Sequence, residues 1–274
     1  MSAPRFRAVL TGAAGGIGRA AAVRLAPLCE TLLLVGRHGA TLAALQEEIE
    51  RAGGKAGVVI ADLTSAAGRT TVLRAAEAVP GGIDLLVNNA GAGEFAWFAD
   101  QDEAMLERIV QVNVLAPMQL TRLLLPALLA QPAARIVNVG SILGYLGYPG
   151  NAAYCASKFA LRGFSEALRR ELADGPVRVT YFAPRATRTA MNGAALCALN
   201  AALGVAMDEP AAVAEALVDL LRRPAAERLL GMPERLFARL NQILPGVVDR
   251  ALRRQLPIIR RHARPLQVPN GGKP

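Results

Sequence analysis

The apolar run Phe6-Arg7-Ala8-Val9-Leu10 breaks into Thr11-Gly12-Ala13-Ala14-Gly15-Gly16-Ile17-Gly18, after which a helical pattern takes over. A strand that ends in closely spaced glycines and hands over to a helix exposes backbone N–H groups at a helix N-terminus. Such a turn suits a pyrophosphate. The glycines permit positive φ and close approach of the backbone. Because this turn opens the first strand–helix–strand unit of the chain, it fits a dinucleotide-binding turn better than an ordinary glycine-rich connection.

Outward from this turn, short apolar runs alternate with longer amphipathic ones. Strands are predicted at 6–10, 31–35, 56–60, 85–87, 135–139 and 177–182. Helical patterns lie between them at 18–28, 40–52, 66–79, 102–131 and 151–173, and the last starts at 210–222. Continuous apolar strands separated by helices give a doubly wound α/β fold, a parallel sheet with helices on both faces. Residues 1–231 read as one dinucleotide-binding catalytic domain and 232–274 as a basic helical C-terminal extension.

The end of the second strand reads Val35-Gly36-Arg37-His38. A carboxylate there would bind a ribose 2′-hydroxyl and favour NAD. Arg37 stands there instead, and a guanidinium pairs bidentately with a 2′-phosphate, so the expected cofactor is NADP(H). Arg19, just past the glycine loop, is placed to help.

Farther on come Ser141 and then Tyr154-Cys155-Ala156-Ser157-Lys158. Tyr154 and Lys158 are four apart on a predicted helix and share a face. A tyrosine of ordinary pKa, about 10, is a poor acid or base near neutrality. A neighbouring ammonium would pull that pKa toward the working range. Ser141, closing the fifth strand, sits where a hydroxyl holds a carbonyl oxygen. Lysine is scarce, at Lys55, Lys158 and Lys273 only, beside 28 arginines.

With the glycine loop, Asp62 after the third strand, Asn88-Asn89-Ala90-Gly91 after the fourth, and Asn113, Ser141, Tyr154 and Lys158 in order, the chain resembles the short-chain dehydrogenase/reductase family over about residues 6–231. The resemblance implies a Rossmann-type sheet, a nicotinamide cofactor and reversible carbonyl–alcohol chemistry. It implies that Tyr154 exchanges a proton with the substrate oxygen while Ser141 hydrogen-bonds that oxygen. Lys158 would lower the Tyr154 pKa and hold the nicotinamide ribose, and Asn113 would position a water leading from Lys158 to solvent. Gly12, Ala14, Gly15, Gly16, Ile17 and Gly18 would hold the pyrophosphate. Asp62 and Leu63 would meet the adenine, and Asn89, Ala90 and Gly91 would lie along its ribose. Thr187 and Thr189 would contact the carboxamide and phosphate ends. One position departs from the family: Arg185 follows Pro184 where glycine is usual. It faces either the substrate mouth or a surface acid.

Between Arg188 and Asp208 there is no charged residue, which favours a lipophilic carbonyl or alcohol substrate, 3-oxoacyl thioesters being one class. Phe95, Trp97 and Phe98 are expected at the same mouth. A cofactor-binding scaffold without turnover, and an epimerase or dehydratase on the same fold, are the other readings. The intact Asn113, Ser141, Tyr154 and Lys158 set argues against the scaffold.

The formal charge of +9 lies entirely beyond residue 221, so the catalytic body is neutral. In the tail, Leu236, Leu240, Ile243, Val247 and Ala251 recur at helical spacing among arginines, with Pro245 and Pro257 expected to break the run into two or three short helices. Such a segment packs on its own body or a second subunit, or meets an anionic membrane or an acidic carrier protein. With no aromatic stacking platform interleaved with the arginines, nucleic acid is not expected. A homodimer or homotetramer is expected. Three cysteines and two distant histidines imply neither a disulfide framework nor a metal site. The uncharged stretches 136–157 and 189–207 read as strand, loop and pocket wall rather than as membrane spans, which points to a cytoplasmic protein, peripheral at most to the inner face of a membrane.

Overall fold

The computed structural model describes residues 5–263. Seven parallel strands form one sheet in the order β3-β2-β1-β4-β5-β6-β7. They are β1 (Phe6–Thr11), β2 (Cys29–Gly36), β3 (Ala56–Ile60), β4 (Leu85–Asn88), β5 (Ala134–Val139), β6 (Val177–Ala183) and β7 (Glu227–Leu229). The sequence pattern did not reveal β7. At three residues with no buried member, it offers no apolar run to read.

Helices α1 (Gly16–Leu25), α2 (Gly39–Arg51) and α8 (Pro210–Arg222) flank one face, and α3 (Ala66–Glu77), α4 (Glu103–Val110), α5 (Ala116–Leu129) and α6 (Ala152–Glu171) the other. Two apolar cores result. One joins Leu10, Leu34 and Val87 of the sheet to Leu25, Leu42 and Leu217. The other joins Val9, Val35, Leu86 and Ile136 to Val72, Leu120, Leu124 and Leu128. Burial on both faces explains why the strands read as unbroken apolar runs.

The single pattern expected at 102–131 is two α-helical halves joined by a π turn, Gln111–Leu115, which holds Asn113 in a buried position. The continuous stretch Glu103–Leu129 is long and apolar enough to cross a membrane, with a mean hydropathy of 1.4. Its Leu120, Leu124 and Leu128 are core residues against the sheet.

In the uncharged stretch before Asp208 lies α7 (Ala194–Ala202). The tail forms α9 (Met232–Ile243) and α10 (Pro245–His262). Pro245 begins α10 at its first turn, where a missing N–H is harmless. Pro257 does not break the helix as expected. The bond it forgoes belongs to the carbonyl of Arg253, which lies on the exposed side. Both helices pack on their own body: Ala238, Val248 and Ile259 are buried, α9 approaches the turn after β5, and α10 lies on α7. Residues 264–274, including Lys273, lie outside the described residues.

All the strand ends that matter converge on the β1/β4 junction, where the chain order reverses. Gly12 has φ of +65°, and a Cβ on Gly18 would run into the Gly12 carbonyl oxygen and the Asn89 amide. Gly18→Ala is therefore expected to lower stability by about 1–3 kcal/mol through displacement of this turn. Urea unfolding checks it, and an unchanged midpoint would show that the turn yields freely.

Candidate active site

The glycine loop is tied to the β4 loop by side chains. Thr11 Oγ1 accepts from the backbone N–H of Asn89 at 2.9 Å and of Ala90 at 3.0 Å, and donates to Val87 O at 3.3 Å. The Asn89 amide in turn donates to Thr11 O and Gly12 O at 2.9 and 3.2 Å. Asn89-Ala90-Gly91 thus stands against the loop Gly12–Gly18, as expected of one binding surface. Beneath it, the Asn88 amide donates to Thr121 Oγ1 and Asn138 Oδ1, and Asn138 donates to Ser165 Oγ. This buried polar chain joins β4 and β5 to α5 and α6.

Past β5, Ser141 caps a short 3₁₀ turn, its Oγ accepting from Leu143 N at 3.1 Å. The Tyr181 hydroxyl fixes this segment: it accepts from Ser141 N at 3.1 Å and lies 3.1 and 3.2 Å from the carbonyl oxygens of Ser141 and Lys158. Tyr154, half-buried on α6, is hydrogen-bonded with Ser141. The Lys158 ammonium lies 5.6 Å from the Tyr154 ring centroid and donates to Val139 O at 3.1 Å. The sequence pair therefore does share one face.

Its electrostatics differ from the expectation. Burial pushes Tyr154 up to about 12, against a smaller downward pull from the Ser141 hydrogen bond. Burial also pushes Lys158 down to about 8. In the protein alone, desolvation outweighs the attraction expected between phenolate and ammonium.

Asn113 is fully engaged. Its Nδ2 donates to Ala92 O at 2.8 Å and Ser157 Oγ at 2.9 Å, while its Oδ1 accepts from Ala92 N at 2.8 Å. Ser157, which the sequence reading had not singled out, donates onward to Tyr154 O at 2.7 Å. Asn113 thus links the β4 loop to the helix bearing Tyr154 and Lys158.

Arg37 is exposed just beyond β2, and its charge helps hold the Asp62 carboxyl low. The larger cause is Thr64, whose N–H and hydroxyl both bond Asp62 Oδ1, at 3.0 and 2.8 Å. Asp62 thus braces the turn after β3 through one carboxylate oxygen. Leu63 leans on the second core. Arg19 is drawn away to Glu48, at 2.5 Å, rather than toward Arg37.

The loop after β6 settles the two readings of Arg185. It pairs with Asp208 at 2.7 Å and with Glu234 of α9 at 3.4 Å, and it also lines the cavity. Thr187 Oγ1 donates to Arg185 O, and Thr189 packs over Gly16. A cavity of about 460 Å³ opens here, with Ser141, Tyr154, Thr187, Thr189 and Ile17 on its inner wall. Its outer wall is mainly apolar and includes Leu143, Met191, Leu196 and Val205. The tail supplies Phe237, Leu252 and Gln255, which the tail's helical spacing could not assign to any surface. Of the aromatic trio only Phe95 lines it. Trp97 lies under Arg260 at 6.0 Å, and Phe98 is 61% exposed. Among the described residues no cluster of His, Cys, Asp and Glu could hold a metal ion.

The cradle fits a dinucleotide. The loop packs closely on itself and on Asn89, Ala90 and Thr189 through Gly12, Gly16 and Gly18, exposed Gly15 and Gly16 stand at the N-terminus of α1, and a cation rather than a carboxylate follows β2. Known proteins agree. The family described as short chain dehydrogenase matches residues 7–197. The ketoacyl reductase HetN of Nostoc sp. is 32% identical over 252 residues, covering 89% of this chain and 87% of its own. A short-chain dehydrogenase from Sphingobium yanoikuyae, solved in complex with NADPH, is 28% identical, with a TM-score of 0.74 and coverage of 90% of this chain and 95% of its own. A short-chain dehydrogenase/reductase from Burkholderia phymatum, solved with NAD, is 26% identical, with a TM-score of 0.80 and coverage of 90% and 96%. With its motifs, sheet order and site in agreement, the chain belongs to the short-chain dehydrogenase/reductase family and is an oxidoreductase acting on CH–OH or C=O groups with a nicotinamide cofactor.

Proposed function

We propose that the protein is an NADP(H)-dependent reductase of lipophilic carbonyl compounds, with 3-oxoacyl thioesters as the leading class. The observation that carries this is the cavity, in which Ser141 and Tyr154 meet a mainly apolar wall that includes Leu143, Met191, Leu196, Val205 and Phe237. Likeness to a ketoacyl reductase supports the thioester class, and exposed Arg37 without a carboxylate at the end of β2 supports the phosphorylated cofactor.

The cofactor, when bound, supplies the hydride in reduction or accepts it in oxidation. The chain's own groups do the rest. Ser141 Oγ holds the substrate oxygen where negative charge grows. Tyr154, protonated across the physiological range, donates its hydroxyl proton to that oxygen, and in oxidation takes it back. Lys158 places a cation behind the phenolate that forms, and Asn113 with Ser157 holds α6 against the β4 loop. Gly12, Ala14, Gly15, Gly16, Ile17 and Gly18 hold the pyrophosphate. Asp62, Leu63, Asn89, Ala90 and Gly91 border the adenosine, and Thr187 and Thr189 the nicotinamide end. Residues 1–231 form the catalytic unit and 232–274 an extension, of which Phe237, Leu252 and Gln255 wall the substrate. Exposed Val110, Met118 and Leu129 on α4 and α5, with Phe159 on α6, give a homo-oligomer its contact face, and the protein works in the cytoplasm.

Three outcomes test the proposal. Tyr154→Phe is expected to lower kcat at least about 100-fold on a 3-oxoacyl thioester while NADPH still binds. Retained turnover removes Tyr154 from the chemistry. Arg37→Ala is expected to raise the KM for NADPH about tenfold or more and to leave that for NADH nearly unchanged. Equal effects on both would deny the 2′-phosphate contact. Because Lys158 loses its charge near pH 8 while Tyr154 stays protonated to about 12, kcat/KM for reduction is expected to fall as pH rises through about 8. A profile level to pH 10 would show that the lysine charge is not needed.

A further inference from the structure

The outward side of the tail helices is unusual. On α9, Met232, Leu236 and Ile243 recur at helical spacing and are 72%, 67% and 76% exposed; Leu244 and Val247 extend the stripe into α10. The opposite side of α9, around Ala238, is buried. Single exposed leucines are ordinary, but five large apolar side chains in one stripe are not. Arg235 and Arg239 border the stripe along α9.

The arginines of α10 repeat the theme. Its buried side carries Val248 and Ile259, and Leu252 and Gln255 beside them line the cavity. Arg250, Arg253, Arg254 and Arg261 fall on the exposed side. Among the described residues no ion pair holds any of these six arginines, and the only acids on the two helices are Glu234, bound to Arg185, and Asp249.

The stripe is continuous with the mouth of the cavity. Phe237, one residue beyond Leu236, is 44% exposed and lines the cavity, and the exposed Met191 and Val205 line it too. We propose that α9 and α10 seat the protein on an anionic lipid surface, with the apolar stripe entering the headgroup layer and the arginines on its phosphates. The cavity mouth then lies at the membrane and takes lipophilic substrate from it. The charge selects this occupant: a second copy would bring one arginine face against another, whereas an anionic bilayer offers both acyl chains and negative charge. Only the uptake of substrate from the bilayer rests on the proposed function; the docking itself does not.

Co-sedimentation of the full chain with phosphatidylglycerol/phosphatidylcholine vesicles, without cofactor or substrate, tests it. Binding is expected to exceed that to pure phosphatidylcholine by at least about tenfold and to be lost in 0.5 M salt. The double variant Leu236→Glu/Ile243→Glu and the triple variant Arg250→Gln/Arg253→Gln/Arg254→Gln are each expected to reduce it at least about tenfold. Turnover of a short water-soluble carbonyl should be unchanged in both, which shows that they fold. Absence of vesicle binding, or binding equal in the double variant, overturns the proposal. So does gel filtration in which Leu236→Glu/Ile243→Glu turns a wild-type oligomer into a monomer, for then the stripe is a contact between copies. An acidic carrier protein that binds the same face while vesicles do not also overturns it. Because vesicle binding is itself read without catalysis, failure here is distinct from failure of the Tyr154 test.

Discussion

The hydroxyl of Thr11 accepts two backbone N–H groups from the β4 loop and reaches the carbonyl of Val87. Through it the ends of two neighbouring strands become one rigid edge. The candidate cofactor cradle is arranged from this edge: the glycine loop on one side, Asn89-Ala90-Gly91 on the other, and Asn113 bonded to Ala92 just beyond. Parallel strands place all their C-terminal ends together, so side chains far apart in sequence need only short loops to meet.

The reactive pair depends on a second constraint, the exclusion of water. Burial holds Tyr154 as a phenol and makes the Lys158 ammonium expensive, so neither group is tuned by the other until charge enters the site. Val139 O gives the ammonium one fixed partner at 3.1 Å, which orients it without neutralising it. The Tyr181 hydroxyl performs the same service for the backbone of Ser141 and the start of α6. Tyr154 is thereby held as a phenol, hydrogen-bonded with a serine whose backbone is fixed.

Local chemistry was readable in the sequence, and long-range partnership was not. The glycine loop, the face shared by Tyr154 and Lys158, and the strands from β1 to β6 follow from spacing and from burial on both sides of a sheet. Asp62 shows the limit: its Oδ1 accepts from the N–H and hydroxyl of Thr64, a turn contact that no apolar periodicity reports. Arg185 shows a different one. Its partner Glu234 is 49 residues away, and no periodicity reports such a pairing. Helical spacing made α9 and α10 visible, but not that Phe237 and Leu252 would close a cavity. Pro257 misled because a proline's effect depends on whether the abandoned carbonyl meets water, which is a fact of the fold.

The π turn at Gln111–Leu115 has a consequence for the whole helix in which it sits. One additional residue in a turn shifts the angular phase of everything after it by about 100°. The π turn can therefore aim Asn113 at the β4 loop while the second half keeps Leu120, Leu124 and Leu128 on the sheet. An uninterrupted α-helix would have to surrender one alignment or the other. The irregularity is thus a gear between two surfaces that demand different rotations of the same rod.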